Sequence, residues 1–132
     1  MELKTYQKNV IKDLSRYLEL LLEKQSAGAA YTVLWNEKNV LVGPNGMPNY
    51  NDVLKGVPNV CFKVPTGGGK TFLACNSIKP IFDSMPNMRA KAVVWLVPSD
   101  AILSQTLTAL SSADHPYRQK LDVEFGSRVE VY

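Results

Sequence analysis

Residues Val64-Pro65-Thr66-Gly67-Gly68-Gly69-Lys70-Thr71 set three consecutive glycines before a lysine and a threonine, and residue types in that order can hold phosphate. Glycine reaches backbone angles closed to other residues and lets amide N–H groups turn inward on an anion. A helix that starts at such a loop adds unpaired N–H groups and about half a positive charge. Lys70 stands where an ammonium would reach β- and γ-phosphate oxygens. The Thr71 hydroxyl suits a magnesium ion bridging them. Thr66 and Gly67 to Gly69 complete the cradle, so the chemistry on offer is the binding of a magnesium–nucleoside triphosphate.

A loop of this kind needs a strand behind it and a helix in front of it. The apolar run Val60-Cys61-Phe62-Lys63-Val64 predicts a buried strand, and the helix after the loop is expected from Gly69 to about Lys79, where Pro80 should end or kink it. A second apolar run, Ala92 to Val97, predicts another buried strand. Ser99 or Asp100 then serves as N-cap for a helix over Asp100 to Ser111. A short helix from Pro116 to about Phe125 closes at Gly126, and the alternation in Arg128 to Tyr132 predicts a third strand. Ahead of all this, Val10, Ile11, Leu14, Tyr17, Leu18, Leu21 and Leu22 recur at helical spacing between Lys4 and Lys24. Periodicity is lost from Ser26 to Lys55. That stretch predicts an insertion, with a short helix near Ala29 to Trp35 and an exposed loop after it. The order of elements predicts an α/β fold, a parallel sheet with crossover helices preceded by an N-terminal helix.

The form Pro-Thr-Gly-x-Gly-Lys-Thr, with Val64 where the general phosphate loop has glycine, resembles motif I of superfamily 2 DEAD/DEAH-type helicases and translocases. Leu3-Lys4-Thr5-Tyr6-Gln7 resembles the adenine-reading element of that superfamily, which implies that the Gln7 carboxamide donates to and accepts from the adenine edge. The segment Val97-Pro98-Ser99-Asp100-Ala101-Ile102-Leu103-Ser104-Gln105 resembles motif Ia. By that resemblance Pro98 and Ser99 touch the backbone of double-stranded DNA, a contact that positions without reading sequence. The wording around Gly56 to Thr71 and Trp95 to Thr106 is similar to the Res subunit of type III restriction enzymes. The resemblance implies a RecA-like phosphate-loop domain and ATP and Mg2+ as cofactors. It also implies DNA as partner, with a methyltransferase (modification) subunit beside it and an endonuclease activity in the parent enzyme. Residues 1–132 would form the N-terminal portion of the ATP-binding lobe, with residues 26–56 as the insertion.

Composition bounds this reading. With 132 residues and 45% hydrophobic content, the chain can build one core. It cannot hold the two lobes of such a motor. After motif Ia there is no Asp-Glu-x-His or Asp-Glu-x-Asp to hold magnesium and orient water. The expectation is therefore a piece of a larger protein that binds nucleotide through Lys70 but turns it over poorly alone. A net charge of +3, with basic residues scattered among acids, does not by itself point to nucleic acid. Cys61 and Cys75 sit in apolar runs and are expected to be buried, reduced thiols of a cytoplasmic protein. His115, before Pro116, is expected at the surface. No segment is apolar enough over sufficient length to span a membrane. Two other classes share the loop: a kinase or other NTPase acting on a small molecule, which would have no use for Gln7 or motif Ia, and a non-catalytic nucleotide-binding module.

Overall fold

The computed structural model describes residues 1–132. It contains five helices: α1 (Thr5–Lys24), α2 (Ala27–Glu37), α3 (Lys70–Asp83), α4 (Asp100–Ser111) and α5 (Pro116–Phe125). They fall in two compact units, one of Lys4–Val64 and the other of Pro65–Tyr132 with Met1–Leu3.

In the first unit, α1 buries Leu14, Tyr17 and Leu18 of the stripe read from the sequence and also Leu20, which that stripe lacked, and it leaves Leu22 exposed. Gln25 in the left-handed region ends α1, and the Ser26 hydroxyl then accepts from Ala29 N–H to start α2. With so short a connection the two helices fold back on each other. Tyr17, Leu20 and Ala30 form the core, with Leu21, Tyr31, Val33 and Leu34 packed around it. Arg16 reaches Glu37, and Lys38 reaches Asp13, across the same pair of helices. The arginine's hydrogen bonds hold the Glu37 carboxyl below the usual range. Beyond α2 the chain tightens into a turn in which Gly46 N–H donates to Gly43 C=O, with an isolated bridge between Val42 and Met47. Gly46 is required there, since a Cβ would lie 2.0 Å from the Leu41 carbonyl oxygen.

In the second unit, α3 and α4 both pack on α5. Cys75, Leu110 and Leu121, one from each helix, form the core, and Ile78, Trp95, Tyr117, Phe125, Val129 and Val131 surround it. Helix α4 starts where its cap predicts: Ser99 Oγ accepts from Ile102 N–H at 3.4 Å. Helix α5 has Pro116 in its first turn and ends at Gly126, whose φ of 61° is the left-handed C-cap conformation. The Arg118 guanidinium ties this unit together, donating to Asp122 Oδ1 and to the backbone carbonyls of Leu110 and Val129.

Three expectations are corrected. The parallel α/β sheet does not form: the chain is 51% helical and 2% strand. Val60–Val64, Ala92–Val97 and Arg128–Tyr132 carry no ladder. A strand exists only through pairing of its N–H and C=O groups with a neighbour, and an apolar run supplies the preference without the partner. Val94 and Leu96 accordingly stand 83% and 88% exposed. The fold is helical, with no RecA-like sheet. Helix α3 also runs past Pro80 to Asp83, because a proline removes one hydrogen bond without preventing the Pro80 and Ile81 carbonyls from accepting Ser84 N–H in the next turn. Cys61 is exposed, since the segment that carries it is not covered by a sheet, whereas Cys75 is buried as expected.

Candidate functional site

The glycine loop enters α3 by alternating backbone hands. Gly67 has φ 74° and Gly69 has φ 69°, both left-handed, with Gly68 between them outside that region. Alternation of this kind turns successive amides to one side of the chain and forms a nest for an anion. The loop is closed by Gly68 N–H donating to Pro65 C=O at 3.0 Å. A Cβ on Gly67 would meet nothing within 4 Å, so glycine is needed there for its φ and not for room.

Helix α3 begins on Gly69, which has no side chain with which to cap it. The other helices have a side-chain acceptor at the start: Gln7 for α1, Ser26 for α2, Ser99 for α4 and His115 for α5. The amides of Lys70, Thr71 and Phe72 thus belong to a first turn with no intrahelical acceptor and no cap, at the positive end of 14 residues of helix. The Lys70 ammonium lies across the loop and donates to the Pro65 carbonyl at 3.1 Å. This is an exposed hydrogen bond worth about 1 kcal/mol net, so an arriving anion displaces it easily. Amides, helix terminus and ammonium all carry positive potential into one short stretch of chain.

The remaining sequence-predicted residues are placed as follows. Thr66 is exposed in the loop and Thr71 is half-buried in the first turn of α3. Gln7 is buried at 3% exposure, and its Oε1 accepts from Lys4 N–H at 2.8 Å, as in the N-terminal capping of a helix. Pro98 and Ser99 are both exposed, with Ser99 Oγ engaged as the α4 cap. The sequence-predicted residues of Pro65–Tyr132 therefore sit at two helix starts, those of α3 and α4.

Residues that sequence reasoning passed over stand next to this loop. A cavity of about 470 Å³ has Thr71 in its wall, together with residues of α4 and with His115 and Tyr117 at the start of α5. The Tyr117 ring stacks on Phe72 with centroids 5.9 Å apart, which holds the start of α5 against the start of α3. His115 is only partly exposed. Its Nδ1 accepts from Tyr117 N–H at 3.2 Å. No pattern in the sequence brings residues 104–117 to residue 71; the packing of α3 and α4 on α5 does.

A family model described as type III restriction enzyme, res subunit, matches residues 1–129. The chain belongs to that family. No curated protein and no solved structure matches it. The Res family is a helicase-like ATPase family whose members use ATP with Mg2+ and act on DNA. The loop residues of this Res-family chain fit such a ligand. Uncapped amides and an ammonium suit the phosphates, and a hydroxyl in the first turn of α3 is a hard oxygen donor suited to magnesium. No helix is long and apolar enough to cross a membrane.

Proposed function

We propose that this chain is the nucleotide-binding part of an ATP-dependent DNA translocase or helicase, the restriction subunit of a type III restriction–modification enzyme. The observation that carries the reading is the uncapped start of α3 behind a loop left-handed at Gly67 and Gly69. In this reading residues 1–132 are the N-terminal portion of the ATP-binding lobe, and residues 26–56 are an insertion in it. The carboxylates that orient water, and the second lobe, are supplied from elsewhere in the protein.

Each residue has one task. Thr66 and the amides of Gly67, Gly68 and Gly69 would surround the β-phosphate, with Gly68 N–H exchanging its bond to the Pro65 carbonyl for one to the phosphate; Lys70 would neutralise β- and γ-phosphate oxygens and the Thr71 hydroxyl would ligate magnesium. A magnesium ion held by the Thr71 hydroxyl would supply Lewis-acid withdrawal of charge from the phosphates. Gln7 reads the adenine edge. Its Oε1 accepts from Lys4 N–H, so the start of α1 orients the carboxamide. Pro98 and Ser99 meet the DNA backbone. A methyltransferase subunit partners the parent enzyme, and the cytoplasm is its compartment, which agrees with two free thiols.

Calorimetric titration of the chain with Mg-ATP tests the reading. Binding is expected for the wild type and should fall beyond detection in Lys70→Ala, while Gln7→Ala should abolish the preference for ATP over GTP. Unchanged ATP affinity in Lys70→Ala contradicts the assignment of the loop.

A further inference from the structure

We propose that the cavity beside Thr71 is a second anion compartment, one that takes free inorganic phosphate next to the nucleotide loop. The proposal rests on the loop reading above, because Thr71 is shared between them.

Two independent observations lead here. First, Thr71 belongs to the uncapped first turn of α3, so the cavity wall includes the positive end of a helix. Second, Thr106 of α4 is buried to 8% exposure and lines the same cavity. The hydroxyls of Thr32 and Thr108 bond back to the carbonyls of Gly28 and Ser104 four residues earlier. Thr106 makes no such bond. Its oxygen is also not among the atoms sealed away from solvent without a partner, of which Glu124 Oε2 is the one case. Thr106 is thus a nine-tenths buried residue of the cavity wall whose hydroxyl has no protein partner, and a buried hydroxyl seeks one.

The rest of the lining selects the charge of that partner. Ser104, Gln105 and Tyr117 are polar members of the wall, beside Ile102 and Ala109, and no Asp or Glu lines the cavity. His115 Nδ1 already accepts from Tyr117 N–H, which leaves Nε2–H as the donor of the ring. Donors with no competing carboxylate, at a helix N-terminus, favour a polyvalent oxyanion over a cation. In the reading above the Thr71 hydroxyl would hold the nucleotide's magnesium ion, so inorganic phosphate released by hydrolysis would have a compartment beside Thr71 to enter.

The test uses the whole chain and two conservative variants. Thr106→Val keeps the shape of the side chain and removes its hydroxyl. His115→Asn keeps an N-cap acceptor for α5 and withdraws the imidazole. Binding of inorganic phosphate is followed by amide chemical shifts, binding of Mg-ADP by calorimetry, and folding by circular dichroism. Wild type should show saturable shifts at Thr71, Thr106 and His115. Each variant should weaken phosphate by roughly tenfold, the scale of one hydrogen bond to a charged group, with Mg-ADP affinity unchanged. Phosphate binding that survives in both variants and disappears only in Lys70→Ala overturns the compartment and leaves the loop reading standing. Mg-ADP binding without phosphate binding in the wild type does the same. Loss of both ligands in the wild type overturns both readings.

Discussion

Replacing Gly67 by alanine isolates backbone conformation from every other contribution of the loop. The added methyl group has open space around it, so no steric clash enters. What remains is φ 74°, a left-handed angle that disfavours an L-residue by about 1–2 kcal/mol. That free energy must appear somewhere in the sequence from unfolded chain to nucleotide complex. If the free loop already holds the angle, folding stability falls by about 1–2 kcal/mol and affinity for Mg-ADP stays constant. If the free loop relaxes in the variant, stability holds and affinity falls by roughly 5- to 30-fold, the same free energy read through the binding constant. Urea denaturation and calorimetry on the same sample give the two parts, and their sum should be about 1–2 kcal/mol. A sum near zero would mean that the complex does not need a left-handed residue 67. A sum well above this range would mean that the methyl group meets atoms of the bound nucleotide, contrary to a loop that presents only amides at this point.

Other substitutions read other parts of the structure. Arg118→Ala should destabilise the Pro65–Tyr132 unit by about 2–4 kcal/mol, because the Leu110 and Val129 carbonyls lose a charged donor together; a urea midpoint within error of wild type would contradict this. Gly46→Ala should disrupt the turn after α2, shown by loss of the amide-exchange protection of Gly46 and Met47, whose N–H groups donate to Gly43 and Leu41; unaltered protection at both would refute it. Burial pushes the Cys75 thiol up to about 11 from 9.0. The folded state therefore holds its proton longer than the unfolded chain does, and the stabilising contribution, complete below about pH 9, should be lost as pH rises toward 11. A thiol reagent at pH 8 should modify exposed Cys61 at once and Cys75 only with unfolding, and equal rates at the two would be the contrary result.

Helix starts and stops were the most legible part of the sequence, for a local reason. Ser99 before α4, Pro116 at the start of α5 and Gly126 at its end satisfy or relinquish backbone hydrogen bonds within a few residues of themselves, so their meaning survives in any tertiary setting. The apolar runs at residues 60–64, 92–97 and 128–132 were misread as strands because a strand depends on a second segment that local sequence does not specify. Val94 and Leu96 show the outcome, apolar and exposed, while Val129 and Val131 pack on the core without a ladder. Pro80 lies inside α3 and does not end it. The glycine loop is legible as the entry to α3, because glycines in the left-handed region end one segment and start the next. The cavity joining Thr71 to Thr106 and His115 had no sequence signature, since residues from three helices meet there only through packing on α5.

The most direct measurement is calorimetric titration of this chain with Mg-ADP, repeated on Lys70→Ala after circular dichroism has shown both to be folded. Saturable heat with the wild type and none with the variant is the predicted result. A folded wild-type chain that gives no heat, or a variant that binds as tightly as the wild type, would contradict the assignment of residues 65–71 as a triphosphate-binding loop.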